Sequence, residues 1–180
     1  MGAQTKATIE DLYRIEGKAE LVEGMLVREP PTGDGPSSAA GNIFISLSMH
    51  VRKTGIGRAY TDNIAFRVEL PNREAFSPDV AYYIGPRTGM KFLEGAPAFA
   101  VEVRSECDYG RNAESVMAAK RADYFAAGTL VVWDVDLIGP MPIRKYTSTA
   151  PEEPREFLRG EADAEPALSD WRFEVNELYR

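Results

Sequence analysis

The segment LVVWDV (residues 130–135), apolar at every position but Asp134, constrains this chain more than any other. A short apolar run without alternation reads as a central strand covered on both faces, so layers must pack above and below a sheet. The stretch before it, roughly residues 112–127, is rich in Ala and meets Gly128, the pattern of a helix with a glycine stop. Upstream, SPDVAYYI (77–84) and PAFAVEVRS (97–105) read as two further strands, joined by a Gly- and Pro-containing loop over 85–96. Ile64, Phe66, Val68 and Leu70 alternate with Ala65, Arg67 and Glu69, a strand with one buried face. IRKYTS predicts an edge strand, and a Pro/Glu-rich turn over 150–156 leads to FLRG and the closing segment ALSDWRFEVNELYR.

The N-terminal third follows the same logic. TIEDLYRI (8–15) opens with a capping-box approximation and predicts a short amphipathic helix. ELVEGMLVREP reads as two strands about a tight turn at Glu23-Gly24. PPTGDGPSS, with its prolines and glycines, reads as a loop. Ile43, Leu47 and Val51 then recur every four residues, giving a helix over about 38–54 that stops at Gly55. The sum is one domain over residues 1–180, α/β on the α+β boundary, with a mixed central sheet flanked by helices.

With 180 residues and 44% hydrophobic content, a full core needs no staples, and the single Cys107 excludes a disulfide framework and a four-cysteine zinc site. No apolar run is long enough to span a membrane, and MGAQTKATIEDLY lacks a signal-peptide apolar block. Lys sits where the myristoylation pattern at Gly2 asks for Ser or Thr. The expected compartment is a reducing cytoplasm. A net charge of −7 argues against a simple nucleic-acid-binding module but does not exclude an enzyme whose acids gather at a cation site.

Asp79 and Glu102 are the most informative acids. Glu102 shares a strand face with Ala98, Ala100 and Arg104, opposite Phe99, Val101 and Val103; a carboxylate there is costly to bury unless it is paired or holds a cation. If the strands of Asp79 and Glu102 are antiparallel neighbours, the two carboxylates sit side by side as hard oxygen donors for Mg²⁺ or Mn²⁺. Lys120 falls on a helix stripe with Val116 and Tyr124 and reaches toward them; Arg104, two residues after Glu102, is the competing cation.

SPDVAYYI, VEVRS and KRADYFAAGTLVVWDVD, together with AELVEGMLV and LSDWRFEVNELY, resemble the Uma-two family, a restriction-endonuclease-like branch of the PD-(D/E)xK nucleases. The resemblance spans nearly the whole chain. It implies a mixed sheet flanked by helices and a metal-dependent endonuclease acting on DNA. It makes Asp79 and Glu102 metal ligands, Glu20 a supporting acid that acts through water, and Lys120 the catalytic lysine, displaced from strand to helix. The superfamily motif would have Lys at position 104, where this chain has Arg, a phosphate clamp rather than a proton acceptor. Relatives often carry His where the second helix begins; here Ala39 and Ala40 stand near that place.

Other residues carry less. His50 suits the macrodipole at a helix end, and Cys107 lies between two acids that disfavour a thiolate. Ser105 belongs to a loop, and Tyr124 and Trp133 read as core aromatics. Arg52, Lys53 and Arg58 form a solvated basic cluster. The alternative function is a catalytically inactive nuclease-fold scaffold that uses its acids for salt bridges or a structural ion. A homodimer is expected where two strands are cut by paired sites.

Overall fold

The computed structural model describes residues 6–180, and the Gly2 lipidation pattern lies outside them. Thr8 caps a one-turn helix, α1 (Ile9–Leu12): its hydroxyl accepts from the Asp11 amide, and the Asp11 carboxylate accepts from the Thr8 amide. β1 (Ala19–Val22) and β2 (Met25–Arg28) pair antiparallel about Glu23 and Gly24, whose φ values of 54° and 74° are those of a tight primed turn. α2 (Asp34–Thr54) starts inside the segment expected to be loop. Gly33 is its N-cap and Pro36 its third residue, where an amide would have no intrahelical acceptor, so proline costs the helix nothing. The helix ends as expected at Gly55, with φ at 71°.

β3 (Arg58–Thr61), β4 (Phe66–Arg67), β5 (Arg73–Phe76), β6 (Val80–Tyr83), β7 (Leu93–Glu94) and β8 (Phe99–Val103) follow. The alternation over 64–70 survives as buried Phe66 and Val68 against exposed Arg67 and Glu69, although only β4 pairs as a ladder. β7 is a short strand inside the expected loop. α3 (Arg111–Ala126) then crosses over to β9 (Val131–Val135), followed by β10 (Ile143–Thr147), β11 (Ala150–Phe157), β12 (Glu161–Asp163), β13 (Arg172–Glu174) and a 3₁₀ turn at Val175–Tyr179.

Among the described residues these strands form three sheets. The central one has the order β11-β10-β9-β8-β6-β3, a second β2-β1-β5-β4-β7, and the third pairs β12 with β13. Only β8 and β9 run parallel in the central sheet, joined by the α3 crossover. β10 is therefore not the edge. That place belongs to β11, in the segment expected to turn, because Pro151 and Pro154 lack an amide donor and are tolerated on an outermost strand.

Both faces of β9 are covered, and all five of its residues are buried. On one face, Ala39, Ala40, Ile43 and Leu47 of α2 meet Val80, Phe99, Val101 and Trp133, and Trp133 stacks on Trp171. On the other face, Ala81, Ala100 and Val132 meet Tyr124 of α3 and Phe66, Phe76 and Leu93 of the second sheet. Glu102 follows Ala100 by two residues and so points toward this second layer, where the two sheets and α3 converge.

Candidate metal centre

β6 and β8 are antiparallel, with Val80 opposite Val101, so Asp79 stands beside Glu102 one step beyond. The Asp79 amide donates to the Val101 carbonyl (3.1 Å), and Asp79 Oδ2 accepts from the Val103 amide (2.7 Å). This clamps the carboxylate at the strand end. The side chains of Asp79 and Glu102 both line a cavity of about 770 Å³ between the central sheet, the β1–β2 hairpin and α3.

Lys120 Nζ lies 2.9 Å from Glu102 Oε2, 3.1 Å from Glu20 Oε1 and 3.5 Å from Glu29 Oε1. Tyr124 Oη donates to Glu102 Oε1 at 2.6 Å. Tyr124 is thus more than the core aromatic that its sequence context implied. Val116, placed on the same stripe, is exposed and lines the cavity. Glu20 is buried, accepts from the Ser77 amide (2.8 Å) and pairs with Arg73, which also holds Asp123.

Three contributors were not singled out from the sequence. Lys18 Nζ lies 2.6 Å from Asp79 Oδ1 and 2.9 Å from both Glu29 and Asp62. A signal for Lys18 was present: it precedes Glu20 by two residues and so shares its strand face. Glu29 and Asp62 follow the ends of β2 and β3 and carried no such pattern.

Electrostatics follow from this crowding. Burial raises the Glu102 carboxyl, Lys120 pulls it down and nearby Asp79 pushes it up again, leaving it at about 7. Burial would raise Glu20 too, but Lys120 and Arg73 hold it below the usual carboxylate range. Burial would lower Lys120, and Glu102 and Glu20 more than offset this, so its ammonium is retained well beyond neutrality. In this network Lys120 is a fixed positive charge and hydrogen-bond donor.

Arg104 lines the same cavity but turns away from Asp79 and Glu102. Its guanidinium makes a bidentate pair with Asp134, at 2.7 Å for both bonds, and a second with Glu114. Asp134, the one polar position in the central strand, is thereby neutralised. Ser105 bonds Asp108 within its loop, and His50 is confined to α2.

Asp79, Glu102 and Glu20 supply hard oxygen donors suited to Mg²⁺ or Mn²⁺. Lys18, Lys120 and Arg73 face five carboxylates, those of Glu20, Glu29, Asp62, Asp79 and Glu102. Burial is the main force raising Glu102, and Asp79 adds to it, so a divalent cation beside both acids would favour the ionised carboxylate. In chemistry and charge the residues fit such an ion. Among the described residues, however, no three acidic, His or Cys side chains already converge on one point, so filling the site requires some of these ion pairs to rearrange.

The fold is a restriction-endonuclease-like mixed sheet flanked by helices. It superimposes with a TM-score of 0.75 on a "putative nuclease belonging to DUF820" from Anabaena variabilis, at 15% identity, over 96% of this chain and 97% of that one. A family model described as "Putative restriction endonuclease" matches residues 9–173, and the chain belongs to this family, Uma2. Comparison with curated proteins gives no match.

Proposed function

We propose that the chain is a metal-dependent endonuclease that hydrolyses DNA phosphodiester bonds, with Mg²⁺, or Mn²⁺ in its place, held by Asp79 and Glu102 and supported by Glu20. The observation that carries this reading is the strand register that sets Asp79 beside Glu102 at the wall of a cavity also lined by Lys120. The ion would supply an acidified water and stabilise charge developing on the phosphate.

The chain's own residues do the rest. The Val103 amide fixes Asp79, and Tyr124 and Lys120 hold Glu102 beside it, so the two carboxylates are oriented at the cavity wall. Lys120, as an ammonium, orients a water or offsets phosphate charge; it does not accept the proton while Glu20 and Glu102 hold it. Arg104 acts from the cavity wall, through the Asp134 pairing that sets the end of β8 against β9. DNA as the substrate rests on the family membership.

Incubating the protein with supercoiled plasmid and Mg²⁺ or Mn²⁺ tests the reading. Cleavage by the wild type that is lost in Asp79→Ala and Glu102→Gln, by about 100-fold or more given the size of electrostatic contributions, is the expected result. Cleavage undiminished in Asp79→Ala overturns the assignment.

One observation favours the scaffold alternative. Both oxygens of Asp79 and both of Glu102 already have partners within the protein. A chain that uses these acids only for salt bridges takes up no Mn²⁺ in calorimetry.

A further inference from the structure

Asp79 offers one oxygen to a cation. Oδ2 accepts from the Val103 amide at 2.7 Å and is turned toward the backbone, which leaves Oδ1 facing the cavity. Lys18 Nζ occupies that oxygen at 2.6 Å. The same ammonium lies 2.9 Å from Glu29 and 2.9 Å from Asp62, so three carboxylates surround one cation. Its side chain is largely buried, with 11% exposure, while Asp62 is 48% exposed and Glu29 30%. Lys18 therefore has two partners on the solvent side of Asp79 that it can keep when it gives Asp79 up.

We infer that Lys18 is the resident counter-cation of this site: its ammonium and the divalent ion compete for Asp79 Oδ1, and metal loading shifts Lys18 onto Glu29 and Asp62. The inference rests on the proposed metal centre and adds a positioning residue to it. Lys120 is a different case, since the carboxylates it faces from α3 are those of Glu102, Glu20 and Glu29 rather than Asp79. Lys18 arrives on the β1–β2 hairpin and reaches across to the central sheet, so the exchange acts where the two sheets meet. A lysine that competes with the ion lowers affinity for it, and in return keeps the acids from repelling one another when no ion is bound.

The test is Mn²⁺ titration by calorimetry on the full chain, comparing wild type with Lys18→Met, Lys18→Arg and Asp79→Asn. Lys18→Met binds Mn²⁺ at least about tenfold more tightly than wild type, equivalent to about 1.4 kcal/mol. Lys18→Arg, which keeps the positive charge, stays near the wild-type value, and Asp79→Asn loses binding. Binding by the wild type that is abolished in Asp79→Asn but unchanged or weakened in Lys18→Met defeats the Lys18 inference alone. No binding by wild type or Lys18→Met defeats both it and the metal-centre reading. Uptake by Lys18→Met alone upholds the competition.

If Lys18→Met does not fold, NMR of the ¹⁵N-lysine-labelled wild type gives the answer. The Lys18 ammonium signal shifts on saturation with Mg²⁺; a signal unmoved at saturation overturns the inference.

Discussion

In the proposed metal centre, Glu102 would link proton and metal at a single carboxyl. Its folded value of about 7 lies above the ordinary 4.5, so what it contributes to stability is fully present below about 4.5 and is lost as pH rises through 7. Glu20 is shifted the other way, and its contribution is lost as pH falls below the usual carboxylate range. Between pH 5 and 8, in chelator, the wild type should therefore lose melting temperature as pH rises, and Glu102→Gln should flatten that slope. Because the ion needs the deprotonated form, Mn²⁺ affinity should climb over the same interval. Asp79, Glu102, Glu20 and Lys120 were readable in the sequence because alternation and a family pattern placed them. Lys18, Glu29 and Asp62 were harder to read, since each follows or precedes a strand end and is brought in by tertiary closure. Tyr124 shows a further limit: a helix stripe marks it as inward-facing, but periodicity cannot tell that a buried phenol ends on a carboxylate.

At the scale of elements, the strands β8 and β9 are held in register by more than their ladder. Arg104 and Asp134 have side chains exposed by only 3% and 2%, and they satisfy each other through two hydrogen bonds. Arg104→Met removes both of these hydrogen bonds from the buried Asp134 carboxylate, leaving it Arg121 and Arg144 at 4.0 Å, and should cost about 3 kcal/mol in denaturant unfolding. Mn²⁺ affinity at Asp79 and Glu102 should change little, which separates a structural Arg104 from a ligand-binding one. The helices and central strands were legible because their patterns are long or continuously apolar. β11 was not, because Pro151 and Pro154 are turn signals unless one knows that the strand lies outermost, and sheet position is not a local property. The start of α2 misled in the same way: Gly33, Gly35 and Pro36 break a helix interior but are accommodated in a first turn.

Across the whole molecule, an excess of acid sets the terms of any encounter with DNA. A net charge of −7 repels a polyanion at long range, and the cavity holds several of the carboxylates responsible. Association with a labelled duplex, followed by fluorescence anisotropy, should therefore require Mg²⁺ and weaken as NaCl is added. Equal binding in chelator would place the DNA contact elsewhere on the surface.

The residues that bond Asp79, Glu102 and Glu20 in the cavity are scattered from Lys18 to Tyr124, and the last of them, Lys120 and Tyr124, ride on the crossover between two strands of the central sheet. A chain still emerging from the ribosome holds its first acids long before it holds α3. Until that helix docks, Glu102 lacks both Lys120 and Tyr124, and Glu20 lacks Lys120. The network about Glu102 is thus complete only once α3 is in place, so a copy that ends before that helix lacks the partners that hold this carboxyl.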